Sequence, residues 1–280
     1  MLRFSGAGVS DVGRVREHNE DSAFVAPYVA LVADGVGGAA AGEVASATTA
    51  YVVSATALTR FGERLEPLVV DAVAAARASL VHGVRMDESR EGMATTLSVV
   101  LCDGARVVLG HVGDSRVYLL RDGGLRQVSR DHTYVQQMQD TGQLTAQEAA
   151  SHPWRNVVLR SLDGDPGSDP HDIDVVELDV REGDRLLLCS DGLTDLVEDA
   201  RIAEVLRLED PHSAAAVLTQ SALVAGGRDN VTCVVLDVIE GPLVVGDGRL
   251  LGAVQEAANI VDPAAVHLPD AADPAPRSPV

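Results

Sequence analysis

Aromatic residues make up only 3% of this 280-residue chain, so its core has to be assembled mainly from Ala, Val and Leu. Basic residues are scarce as well: 22 Lys and Arg face 42 Asp and Glu, for a net charge of −20. That field repels polyanions and argues against nucleic acid or an anionic membrane as a partner. There are three cysteines, Cys102, Cys189 and Cys233, each inside an apolar run and none at zinc-ligand spacing. An odd number does not make a disulfide framework, so reduced buried thiols and a cytoplasmic location are expected. The N-terminus has no apolar stretch resembling a signal peptide, and no run reaches the ~18 residues of a membrane span. Gly35–Gly38 lacks the Lys-Ser/Thr ending of a P-loop, Ser190 lacks a nucleophile-elbow pattern, and no solenoid repeat occurs.

What is present is a set of short β-branched runs bounded by Gly, which read as buried strands. Leu2–Gly8, Ser22–Ala26 and Val29–Ala33 come first. Ala40 to about Phe61 and Glu66–Val84 are rich in small residues at helical spacing, which predicts an antiparallel helix pair. Thr95–Leu101, Arg106–Val112, Val117–Arg121 and Leu125–Val128 follow, with Asp103-Gly104 and Asp122-Gly123-Gly124 as hairpin turns, and predict an antiparallel meander. Residues 130–170 are polar and hold at most two short helices, near 132–140 and 145–151; a long insertion of this kind is usually functional or mobile. Strands at Asp172–Leu178 and Arg185–Ser190, helices at Glu198–Leu208 and Pro211–Ala225 (Asp210 as N-cap), and a strand at Val231–Ile239 complete the series. Strands and helices are segregated in blocks, which favours an α+β sandwich over a doubly wound parallel sheet. The expected division is 1–240 as one folded domain and 241–280 as an extension, with a short docking element before 260 and Pro/Ala-rich disorder from about 261.

Several strands end in carboxylates. Leu31-Val32-Ala33 breaks into Asp34-Gly35, and Leu186–Ser190 breaks into Asp191-Gly192. Asp229 precedes the last apolar run and Asp114 follows Val107–Gly113. An isolated Asp-Gly is a tight turn. Four aspartates at the edges of fully apolar strands are a different matter, because Asp is a poor strand residue and costly to bury uncompensated. Their convergence on hard cations is the reading to test, with Gly allowing a carbonyl to approach an ion. Each residue also has a plainer reading. Asp229 suits an Asx-turn, Asp114 a turn paired with Arg116, Arg16 a solvated surface arginine, and Glu20 and Asp21 ordinary loop charges. His111 reads as a core histidine, and His152 as a helix-end residue or a proton donor.

The ordered motifs are Ser10-Asp11-Val12-Gly13, Val15-Arg16, Asn19-Glu20-Asp21, Asp34-Gly35-Val36-Gly37-Gly38, Gly42-Glu43, Gly92–Leu97, Gly113-Asp114-Ser115-Arg116, Asp131-His132-Thr133, His152-Pro153, Cys189–Leu193 and Asp229–Thr232. As a set they resemble the metal-dependent protein phosphatases, the PPM or protein phosphatase 2C family, and in particular its bacterial serine/threonine members. The resemblance implies a four-layer αββα sandwich, two antiparallel sheets flanked by helix pairs, with 130–170 as a flap. It implies hydrolysis of phosphoserine and phosphothreonine on proteins by a metal-bridging hydroxide at a binuclear Mn²⁺ or Mg²⁺ centre, without a phosphoenzyme. Asp34, Asp191 and Asp229 would hold the two cations, Gly35 would lend its carbonyl, Asp21 would act through bound water, and Asp114 would help a third, weaker cation. Arg16 would grip the phosphoryl group. Eukaryotic members often carry His where this chain has Val36, so the leaving-group proton would come from water near Asp114, ranked first, or from His152. Expected partners are phosphorylated proteins, such as serine/threonine kinases or their targets, acted on by a soluble monomer. A phosphoprotein-binding module without turnover and a phosphatase of small metabolites are the rival readings.

Overall fold

The computed structural model describes residues 1–36, 41–169, 171–208, 210–244, 246 and 248–264. In chain order the strands and helices begin with β1 (Leu2–Asp11), β2 (Asp21–Val25), β3 (Val29–Asp34), α1 (Gly42–Thr59) and α2 (Leu65–Met86). Next come β4 (Ala94–Thr95), β5 (Leu97–Cys102), β6 (Val107–Val112), β7 (Arg116–Arg121) and β8 (Gly124–Gln127). The insertion holds α3 (Tyr134–Asp140) and α4 (Ala146–Ala150), followed by β9 (Leu162–Asp163) and β10 (Asp174–Leu178). The last third contains β11 (Arg185–Cys189), α5 (Asp191–Thr194), α6 (Asp199–Val205), α7 (Pro211–Val224), β12 (Val231–Glu240) and β13 (Arg249–Gly252).

Two antiparallel sheets stack face to face, one ordered β1-β12-β11-β7-β8 and the other β10-β6-β5-β3-β2-β13. The alternation of side chains along a strand accounts for the four layers. In β12, Val234, Leu236 and Val238 point between the sheets, while Val231, Cys233 and Val235 pack under α5, α6 and α7. In β5, Val100 and Cys102 face the inter-sheet core and Leu97, Val99 and Leu101 face α1 and α2. These strands are covered on both faces, which is why they read as unbroken apolar runs although the sheets are antiparallel. By length and composition α2 is apolar enough to cross a membrane, yet Leu68, Ala72, Ala76 and Leu80 are buried in the layer against the second sheet. It also carries buried Arg77, 3.4 Å from Asp163, as a core helix can.

The expected meander is corrected. The β5–β6 and β7–β8 hairpins lie in different sheets, because the chain crosses the sandwich at Gly113-Asp114-Ser115. Gly113 has φ +105° and lies so close to Thr96 that an added Cβ would come within 2.6 Å of its side chain. The crossing lifts Asp114 out of any hairpin arm and delivers it to the sandwich edge. The predicted Thr95–Leu101 strand is likewise divided, with Ala94–Thr95 pairing with β9. Helix starts follow their side chains: Thr133 caps α3, Thr145 and Glu148 form a capping box on α4, and Asp210 accepts from Ser213 N at 2.8 Å. Beyond Glu240, β13 adds to the edge of β2, and Leu251, Val254 and Val261 are buried against the sandwich. The disorder expected for 261–280 falls outside the described residues from 265 onward.

Candidate metal centre

Strand pairing brings the first two carboxylates together. Asp21 opens β2 and Asp34 closes β3, and the two are register partners. Asp34 is anchored through its backbone: its N–H donates to Thr96 Oγ1 at 3.0 Å, and its carbonyl accepts from Thr96 N at 2.9 Å. Asp191 is the first residue of α5, separated from β11 by Ser190 alone, and Asp114 comes from the crossing between the sheets. All four gather at one end of the sandwich, together with Asp229 in the loop before β12.

Their crowding shows in their proton affinities. Burial, and then the charges of Asp21, Asp191, Asp114 and Asp229, push the Asp34 carboxyl well above the ordinary carboxylate range. Asp191 is raised in the same way by burial and by Asp114, Asp195, Asp229 and Asp21. Burial and then Asp131 lift Asp114 to about 7. Burial lifts Asp21 to about 6, against the opposing hydrogen bond from Ser190. Unlike charges are what such a cluster lacks.

Asp21 accepts from Ser190 Oγ at 2.7 Å through Oδ2, whereas its Oδ1 is buried with no hydrogen-bond partner. Ser190 is thereby committed to holding Asp21, and Thr232 N donates to the same hydroxyl at 3.0 Å. Gly35 is pressed between backbones: a Cβ there would lie 2.4 Å from Gly42 O and 2.7 Å from Glu20 O. Gly192 is tighter still, with Asn230 O at 1.9 Å from the position of a Cβ. The glycine after Asp191 is therefore required by the packing of α5 on β12, a reason distinct from the carbonyl approach expected for both Asp-Gly pairs.

Arg16 sits at the mouth, its Nη2 2.8 Å from Asp229 Oδ2. The other Asp229 oxygen accepts from Asn230 N at 2.9 Å. Both groups are well exposed, so the pair is a soft contact that a competing anion or cation can replace. Among the described residues no three His, Cys, Asp or Glu side chains form a ready-made cage for an ion; Asp229 is turned toward Arg16. The donor set nevertheless suits hard divalent cations: carboxylates of mutually raised proton affinity, one orphaned buried oxygen on Asp21, and a side-chain-free backbone at Gly35.

The plainer reading of Asp114 fails, because Arg116 is paired with Asp131, by Nε at 3.1 and 2.9 Å and by Nη2 at 2.7 Å. His111 is the expected core histidine, between Ser98 Oγ at 2.9 Å and Arg130 O at 3.0 Å, and burial lowers it to about 4. His152 contacts the Tyr134 and Trp154 rings in the insertion, and its Nδ1 accepts from Trp154 N. Sequence reasoning missed Asn230 as a positioning residue. Its Oδ1 accepts from Glu20 N at 2.8 Å, and its Nδ2 donates to Val12 O and His18 O, both at 2.9 Å. Those bonds hold the segment that carries Arg16, and the only signal in the chain was the Asp-Asn pair itself. Between the carboxylates and the insertion lies a cavity of about 360 Å³ that includes Asp114, Asp191, Asp195, Arg155 and Asn156 in its wall.

The upward shifts set a pH dependence. A carboxyl raised in the folded state holds its proton more tightly than in the unfolded chain. The stability from this source is complete below the unfolded value of about 4 and is lost as pH rises through the folded values. Those values are about 6 for Asp21 and about 7 for Asp114. Without divalent cations, the melting temperature is expected to fall between about pH 4 and about pH 7, and Asp114→Asn should flatten that fall. An equally steep fall in the variant would remove Asp114 from the explanation.

A cluster of carboxylates at the edge of an αββα sandwich defines the class of the metal-dependent phosphatase fold. The chain belongs to the protein phosphatase 2C family, whose model matches residues 15–223. It is 42% identical over 256 residues to the serine/threonine protein phosphatase PstP of Mycobacterium tuberculosis, covering 91% of this chain and 48% of that protein. The chain thus spans about half the length of that curated relative. To the serine/threonine phosphatase stp of Listeria innocua it is 34% identical over 239 residues, 81% of this chain and 93% of the other. Among solved structures, the M. tuberculosis PstP/Ppp phosphatase superposes with a TM-score of 0.80 at 41% identity, over 85% of this chain and all of that one. The PstP catalytic domain in complex with two manganese ions gives 0.78 at 40% identity, over 86% of this chain and all of that one.

Proposed function

We propose that this chain is a metal-dependent phosphatase of phosphoserine and phosphothreonine in proteins. The observation that carries the reading is the convergence of Asp21, Asp114, Asp191 and Asp229 on Asp34, with Arg16 paired to Asp229, in a family whose relatives are named serine/threonine protein phosphatases. Asp34, Asp191, Asp229 and the Gly35 carbonyl would hold two Mn²⁺ or Mg²⁺ ions, with Asp21 acting through water and Asp114 placed for a third. When bound, such ions acidify water and neutralise phosphate charge during in-line displacement. The protein's own residues do the rest. Arg16 presents a guanidinium fork to the phosphoryl oxygens, exchanging Asp229 for substrate. Asn230 keeps that arginine in place by tying residues 12, 18 and 20. Ser190 fixes one oxygen of Asp21 and leaves the other available.

Val36 carries no proton to give, and His111 is occupied on both nitrogens. His152 stands in the aromatic cluster of the flap. This supports water near Asp114 as the source of the leaving-group proton. The substrates proposed are phosphorylated proteins, such as serine/threonine kinases or their targets. Three free buried thiols support action in a reducing, cytoplasmic compartment. A monomer is proposed, to be read from gel filtration with light scattering.

The test is hydrolysis of p-nitrophenyl phosphate and of a phosphothreonine peptide, with Mn²⁺ and then with excess EDTA. Turnover of both is expected with metal, and its loss on chelation and in Asp191→Ala. A folded, Mn²⁺-loaded sample that turns over neither substrate would overturn the assignment.

A further inference from the structure

The insertion has a firm root and a nearly free tip. At the root, Tyr134 N donates to Val157 O at 2.9 Å and Leu159 N to His132 O at 2.7 Å. Asp131 is locked to Arg116, and Arg160 is paired with Asp172 at 2.6 Å and Asp174 at 2.9 Å. Beyond that root, α3 and α4 pack on each other, and neither joins the hydrophobic clusters of the sandwich. Their side-chain hydrogen bonds stay within 130–156, as in Arg130–Asp140, Gln136–Asp140 and Thr145–Glu148. Among the described residues, the one polar side-chain contact from 135–156 to the catalytic body is made at Asp195. There Asn156 Nδ2 donates to Oδ2 at 2.7 Å, and Arg155 Nη2 lies 3.6 Å from the same oxygen.

The position of Asp195 matters. Its N–H donates to Asp191 O at 2.8 Å, so the contact ends the same short helix that Asp191 begins. The cavity beside Asp114 and Asp191 lies under this contact, with Arg155 and Asn156 in its wall. A charge-assisted hydrogen bond is strong enough to hold a lightly packed segment and weak enough to release it.

We propose that Asn156 and Arg155 on Asp195 form a latch that closes the flap over this cavity, and that its release admits the bulky protein substrate. Asp195 is a positioning residue here, and the chemistry is left to the carboxylates. The latch itself stands on geometry alone; its consequence for turnover rests on the phosphatase reading above.

The test uses the full chain, first free of divalent cations. Trypsin cleaves after Arg, and cleavage between Arg155 and Asn156 reports the population of the open flap when closing is fast. Losing one hydrogen bond to a charged group shifts such an equilibrium by about tenfold. Cleavage at that bond is therefore expected to accelerate about tenfold in both Asn156→Ala and Asp195→Ala. The chain's one tryptophan, Trp154, adjoins the latch, and its fluorescence anisotropy should fall in the same variants. Asn156→Asp sets like charges against each other and should free Trp154 most. Adding Asp195→Asn exchanges the two partners and should restore the anisotropy, which a merely structural role for either residue would not do. Unchanged cleavage and anisotropy in the single variants, or failure of the exchanged pair to recover, would overturn the latch.

With Mn²⁺ present, kcat/KM of Asn156→Ala for a phosphothreonine protein should rise at least about threefold relative to that for p-nitrophenyl phosphate, since the small ester needs no opening. An unchanged or lower ratio would overturn the gating role. Absence of turnover in the unaltered chain would count against the phosphatase reading, and cleavage and anisotropy would still decide the latch.

Discussion

Replacing Asp34 with Asn is expected to abolish metal-dependent turnover while raising the thermal stability of the cation-free protein. The two effects have one cause. Asp34 shares its surroundings with Asp21, Asp191, Asp114 and Asp229, and burial strengthens the repulsion among them. An amide of the same shape removes one of those charges and with it part of the repulsion. It also removes one of the carboxylates proposed to hold the two ions, so the loss of turnover should be at least about a thousandfold. Calorimetry without divalent cations reads the first effect and p-nitrophenyl phosphate hydrolysis with Mn²⁺ reads the second. In the unaltered protein Mn²⁺ should raise the melting temperature by mass action, and in Asp34→Asn that rise should shrink. A cation-free melting temperature below that of the unaltered chain would contradict the electrostatic account of this cluster.

Gly192→Ala is expected to be damaging in both respects at once. An added methyl group would stand 1.9 Å from Asn230 O and 3.0 Å from Asn230 C, both backbone atoms. No rotamer relieves such a contact, so either α5 must retreat or the start of β12 must move. The cost should be about 3 kcal/mol, the upper end for overpacking. Either movement also disturbs the site, since Asp191 precedes Gly192 and Asn230 holds the segment bearing Arg16. A misplacement of about 1 Å commonly lowers rate about a hundredfold. Gly124→Ala is the control, because its nearest neighbour would be 3.5 Å away and the position is exposed. If Gly192→Ala melts with the unaltered protein and keeps its activity, the close approach of α5 to β12 is wrong.

Much of the architecture was legible from pattern. Most of the longer strands were marked by short apolar runs, and α7 by Asp210 and Pro211 at its start. The two insertion helices were expected near 132–140 and 145–151, and in the structure Thr133 and Thr145 cap them. Short or split elements were not legible. Asp191–Thr194 is too brief for helical periodicity, and the two-residue β4 and β9 are strands only because they meet each other. The meander failed for a related reason: hairpin turns specify neighbours within a pair, but nothing local says which sheet the next pair will join.

The sequence by itself determined the class of chemistry. Each aspartate alone could belong to a turn, but four at the edges of apolar strands, Asp34, Asp191, Asp114 and Asp229, stood out together before any coordinate. Tertiary structure alone decided how they work together. Strand register set Asp21 against Asp34, and the crossing at Gly113 delivered Asp114 to them. Asn230 was placed to hold residues more than 200 positions away. The latch on Asp195 belongs with these, as do the pairing of Arg116 with Asp131 and the closeness of Gly192 to β12. Local preferences act over a few residues, whereas electrostatic crowding and backbone contact depend on distances that only the packed sandwich fixes.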